Sequence, residues 1–200
     1  MANKIVSIGG RPTYDVDSDN VGAVITTREG DGAKNGSTVS VAEHGDSGVH
    51  KTVFTLANTP ITLADDAGVG QYGGVKLYDM PAGNHLFLGA VIDADLTLTE
   101  AAWKDTAEGD VGLGTSLVTD GNALATTEQN IIPTTAIAAM TAQAGPINAG
   151  STAPATIAAA GGADTDIFLN VRIDDDAAHA AGGGFINGTV TLVWANLGDY

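Results

Sequence analysis

The chain has 200 residues, 24 acidic side chains against 8 basic ones, a formal net charge of −16 and no cysteine. With so few Lys and Arg, tracking a nucleic-acid backbone is excluded, because each phosphate contact needs a cation. Binding to an anionic lipid surface is excluded on the same ground. Without cysteine there is no disulfide, no thiolate zinc site and no iron–sulfur cluster.

Leu, Ile, Val and Phe fill 46 of the 200 positions, just above the roughly 20% below which charged chains stay unfolded. Glycine contributes 27 residues and alanine 32, and only 5% of the chain is aromatic. A folded domain with a close-packed aliphatic core follows, since a chain of this length buries roughly 70% of its unfolded surface. The first ten residues hold too short an apolar stretch for a signal peptide. No run approaches the roughly 20 apolar residues of a membrane helix, and Ala153–Ala163 is broken by Pro154, Gly161 and Gly162.

In chain order, residues 1–50 are rich in Gly and Asp, with short candidate strands at Lys4–Ile8 and Ala23–Thr27, and read as an N-terminal arm or edge segment. From Lys51 the pattern changes, and residues 51–200 read as one β domain. Lys51–Leu56 and Ile61–Leu63 flank Asn58-Thr-Pro60, a turn signal. Val75–Asp79 follows, and His85–Asp93 is a nearly continuous apolar run that suits a strand buried on both faces. Thr97-Leu-Thr-Glu100 has the form of a capping box before Ala101-Ala-Trp-Lys104, predicting a short helix. Val111–Thr119 reads as a strand and Asp120-Gly121 as a turn. Residues 122–163, cut by Pro133, Pro146 and Pro154, predict extended segments and loops.

The C-terminal part alternates cleanly. Ile167, Leu169, Val171 and Ile173 face one way and Phe168, Asn170 and Arg172 the other. Val190, Leu192 and Trp194 oppose Thr191 and Val193, the period of a half-buried strand. Asn187-Gly188 reads as a tight turn. The whole predicts an all-β, antiparallel β-sandwich or jelly-roll-like domain with at most one or two short helices.

Several segments imitate functional motifs. Gly45-Asp-Ser-Gly48 has the wording of a serine-protease nucleophile loop. The only upstream histidine, His44, is three residues away, and no room exists upstream for the orienting Asp of a triad. Glu43 to His50 offers two His and two carboxylates, but in neither the His-Glu-x-x-His nor a zinc-finger spacing. Asp15-Val-Asp-Ser-Asp-Asn20 lacks the Gly and Glu of a calcium loop at its sixth and twelfth positions. Asp15, Asp17 and Asp19, like Asp174, Asp175 and Asp176, read as solvated acidic turns, a weak calcium site being the alternative. Asn35-Gly-Ser37 and Asn187-Gly-Thr189 read as turns rather than glycosylation sites, and Trp103 and Trp194 as core or interface anchors. His85 and His179 have no partner evident in the sequence. The expectation is a non-enzymatic protein: no catalytic, cofactor-binding or metal-binding residue and no cofactor is assigned.

The block from Asp166-Ile-Phe-Leu-Asn-Val-Arg-Ile-Asp-Asp-Asp176 through Gly188-Thr-Val-Thr-Leu-Val-Trp194 to Asp199 resembles the ending of small virion structural proteins of tailed bacteriophages. Lys51–Pro81, with Asp79-Met-Pro-Ala82 before an apolar strand, is similar in style. The resemblance implies a capsid decoration, or cement, protein, usually a homotrimer on the outer surface of the icosahedral shell. Its partner there is the major capsid protein, and assembly takes place in the host cytoplasm. It implies no catalytic residue. The alternatives are a tail-tube subunit, which forms hexameric rings, and a carbohydrate- or receptor-binding jelly-roll module.

Overall fold

The computed structural model describes residues 6–8, 11–13, 24–29, 39–45, 49–80, 84–99, 108–140, 144–151, 155–157, 165–174 and 182–198. The strands, in chain order, are β1 (Val6–Ile8), β2 (Arg11–Thr13), β3 (Val24–Glu29), β4 (Val39–Gly45), β5 (His50–Asp66), β6 (Gly70–Met80), β7 (Asn84–Leu98), β8 (Gly109–Gly114), β9 (Ile132–Ile137), β10 (Ala144–Pro146), β11 (Ala149–Ser151), β12 (Ala155–Ile157), β13 (Thr165–Asp174) and β14 (Gly182–Gly198). Among the described residues the only helical element is a single 3-10 turn, Thr126–Glu128. The expected helix over Ala101–Lys104 lies outside the described residues, while Thr97 and Leu98 of its supposed capping box end β7.

Every strand pairing among the described residues is antiparallel. β1 and β2 form a separate two-stranded ribbon. The main sheet runs β10-β7-β14-β5-β6-β13-β8-β9, with β11 and β12 continuing beside β7 and the β3–β4 hairpin attached to β5. β9, at one end of this order, lies against β11 at the other, so the sheet is barrel-like and nearly closed.

Two long strands organise it. β14 pairs with β5 along one side and β7 along the other. On its other edge β5 carries β4 along His50–Leu56 and then β6 at Ala64–Asp66. Inward-facing Phe54, Leu63, Leu77, Phe87, Ile92, Leu96, Leu113, Ile167, Leu169, Leu192 and Trp194 are buried in one aliphatic core. Val39 and Val41 of β4, within the segment read as an arm or edge segment, belong to the same core.

The strands bend at bulges, where one extra residue flips the side-chain alternation. In β5 the inward set changes from Thr52, Phe54 and Leu56 to Thr59, Ile61 and Leu63 across Asn58, whose φ is +53°. In β7 it changes from His85 and Phe87 to Ala90, Ile92 and Ala94 across Leu88. In β6 the extra residue, Leu77, leaves both itself and Tyr78 buried. Such bends curl a sheet toward closure.

These bends account for the departures from the sequence reading. Asn58-Thr-Pro60 is no turn: it bends the continuous β5. Asn187-Gly188 is likewise internal to β14, directly across the ladder. The Asn58 amide donates to Asn187 Oδ1 at 2.7 Å, and Gly188 has φ +141°. A Cβ on Gly188 would lie 2.3 Å from the Asp93 carbonyl oxygen, so both the dihedral and the close approach demand glycine. His85–Asp93 is not buried on both faces either. Its outward side includes Val91, 52% exposed, and the apolar run reflects the parity change at Leu88.

Candidate functional site

Chemistry-bearing side chains converge at two places. The first is the end of the core where β5 begins and β14 finishes. Register sets His50 opposite Trp194, and Trp194 opposite Phe87. The His50 and Trp194 rings stack at 4.4 Å between centroids, and buried His85 meets Trp194 edge-on at 5.4 Å. The indole Nε1–H donates to Thr52 Oγ1 at 2.9 Å, which satisfies the one polar group of a ring that is 1% exposed.

Glu43 of β4 completes this cluster. His50 Nδ1 lies 2.7 Å from Glu43 Oε1, and the Tyr78 hydroxyl donates to Glu43 Oε2 at 3.0 Å. Against an ionised carboxylate, which only accepts, the imidazole is the donor from Nδ1. Charge-assisted bonds of this kind are the stronger class. One carboxylate therefore ties β4 to β5, to β6 and, through the imidazole stack, to β14. The structure thus brings together Glu43 and His50, the outer members of the segment weighed for metal ligands. Of its inner members, His44 is half-buried, and Asp46 and Ser47 lie outside the described residues. Among the described residues no group of three His, Asp or Glu could hold a metal ion. What this geometry does is position and lock an imidazole within a strand junction.

The second place is on β13. Arg172 Nε donates to the Gly121 carbonyl at 2.5 Å, Nη2 to the Val69 carbonyl at 3.4 Å and Nη1 to Asp110 Oδ2 at 3.3 Å. Nη1 also pairs with Asp174. Fully buried Asn170 holds the neighbouring loop. Its Nδ2 donates to the carbonyls of Ser116 at 2.9 Å and Glu128 at 2.8 Å, and its Oδ1 accepts from Val118 N at 3.0 Å. Glu128 in turn accepts from Ala125 N at 2.6 Å. Gly114 lets this loop close on β8, since a Cβ there would stand 2.3 Å from the Glu128 carbonyl carbon.

Asp174 therefore has a structural ion-pair partner, while Asp175 and Asp176 lie outside the described residues, as do Asp15, Asp17, Asp19, Asn35, Trp103 and His179. Trp194 is the core anchor expected of it. The sequence reading took Arg172 and Asn170 only as the face opposite Ile167, Leu169, Val171 and Ile173, and missed that they are the fixing points of a long loop. Their spacing of two residues on an alternating strand was the one available signal.

Comparison with known proteins returns no match to a protein-family model and none to a curated protein.

Proposed function

We propose that the protein is a structural component of a virion that decorates and stabilises the outside of an icosahedral phage capsid as a trimer, with the major capsid protein as its partner. One observation carries the reading: the described residues form a β body whose acidic side chains lie outside its core. Of the acidic residues whose burial is described only Glu128 is buried; the others are exposed or partly exposed around the aliphatic core. Such a surface keeps many displayed copies soluble and mutually repelling until specific contacts form. The jelly-roll-like sandwich expected from sequence belongs to the same proposal. It is supported by β4 and β6 leaving β5 on one edge and meeting again across the core at Glu43 and Tyr78.

The carbohydrate-binding alternative draws no support from Trp194, which is shut inside the core. The tail-tube alternative is separated by experiment. Purified capsids and purified tails are probed for the protein by mass spectrometry; it is expected in capsids, and recovery from tails alone would overturn the proposal. In solution, a mass three times the 20.0 kDa of the chain is expected, against the six copies of a tube ring.

A further inference from the structure

We infer that the outer face of β5, β14 and β7 is a two-fold contact between copies of this chain, with the Lys51 side of each copy against the Asp93–Asp95 side of the other. This rests on the homo-oligomeric part of the reading above, adds a two-fold contact that a trimer does not itself contain, and needs no capsid.

The ladder register defines the face. Successive cross-strand rows are Lys51–Val193–Gly89, Val53–Thr191–Val91 and Thr55–Thr189–Asp93, followed by Asn187 beside Asp95. All lie opposite the inward set of Phe54, Val190, Leu192 and Ile92. Apart from Lys51 its side chains are small, and Val91, in the middle row on β7, is 52% exposed. A chain of net charge −16 repels its own copies over most of its surface. This face is an exception: it carries one cation and two anions, segregated to opposite sides.

That segregation decides the geometry. Lys51 and Asp93 are two strands apart and four residues along, about 16 Å by strand spacing and rise, too far to pair within one copy. They are free to pair between copies. A face laid on the same face of a second copy in this way puts each Lys51 against the other's Asp93–Asp95, so the contact is isologous and closes as a two-fold pair. The central Val53, Thr191 and Val91 supply the apolar area, and the charges set register and orientation.

Sedimentation velocity on the full chain tests this, with circular dichroism confirming the fold of each variant. The wild type is expected to exceed the mass of one chain. Lys51→Glu, and separately Asp93→Lys with Asp95→Lys, are each expected to weaken association at least ~10-fold, as juxtaposed like charges do. Combining all three changes is expected to restore it. Val91→Arg, on an exposed position, is expected to weaken association in either background. A wild type that remains a single chain at about 100 µM, the weak end of specific association, would overturn the inference. So would association indifferent to Val91→Arg and both reversals, or reversals that dissociate the protein yet fail to rescue each other. An oligomer that responds as expected, in a protein found only in tails, would leave this contact standing and remove the capsid reading.

Discussion

The β5–β14–β7 side of the sheet and the β6–β13–β8 side are held by different means. On the first, β5 and β14 are each 17 residues long, and their inward positions are filled by Phe54, Val190, Leu192 and Trp194. Ladder hydrogen bonds and apolar burial hold it together, and the bond from Trp194 to Thr52 satisfies the one polar atom drawn in. On the second, β8 has only six residues, and the chain from Thr115 to Ile131 is laid over it without regular pairing. Buried backbone groups there need partners, and Asn170, Arg172, Glu128 and Asn130 provide them with side chains. Long strands satisfy their own backbone; a loop packed on a short strand must borrow side chains to do so.

The largest test of this contrast is Trp194→Ala. It removes the residue shared by β5, β7 and the His50 stack, and a loss of about 3–5 kcal/mol is expected, read as a lower urea midpoint for the whole molecule. Gly188→Ala comes next, at about 2–3 kcal/mol. It forces a side chain onto a positive φ and against the β7 backbone, and differential scanning calorimetry should show the lower Tm. Asn170→Ala is expected to cost about 2 kcal/mol by leaving buried amide and carbonyl groups unsatisfied. Its effect should be local: hydrogen exchange should quicken across residues 115–131 while the β14 amides stay protected. Equal loss of protection in both places would mean that the two sides are not separately held. Smallest is Arg172→Ala, at about 1 kcal/mol given the partial exposure of its carboxylate partners. Arg172→Lys should not restore the lost stability, because one ammonium cannot reach the Gly121 and Val69 carbonyls together.

Much of this was readable in advance, and the reason is parity. β13 and the second half of β14 alternate without interruption, so Ile167 to Ile173 and Val190 to Trp194 announce both their strand and their buried face. Where a bulge flips the parity, the same logic misleads. Asn58 and Asn187-Gly188 carry turn chemistry because both need unusual backbone angles, and a bulge asks for the same residues as a hairpin. Only the long-range pairing of β5 with β14 distinguishes the two. At the candidate site, Glu43 and His50 were visible as residue types. Their junction was not, because Tyr78 and Trp194 reach them from strands remote in sequence. Asn170 and Arg172 were hidden for a related reason: their partners lie in a loop without periodicity.

The placement of β14 has a kinetic consequence. The strand at the centre of the sheet is made after every other described strand, and it closes ladders with residues of β5 and β7 that lie from 86 (Leu98 to Gly184) to 144 (His50 to Trp194) positions earlier in the chain. Until it emerges, those two long strands each present an open edge of unpaired amides and carbonyls, the kind of edge that recruits other chains. Pairing at this sequence separation is slow. The growing chain thus passes through a vulnerable interval that ends only when its last long strand slides between its two oldest neighbours.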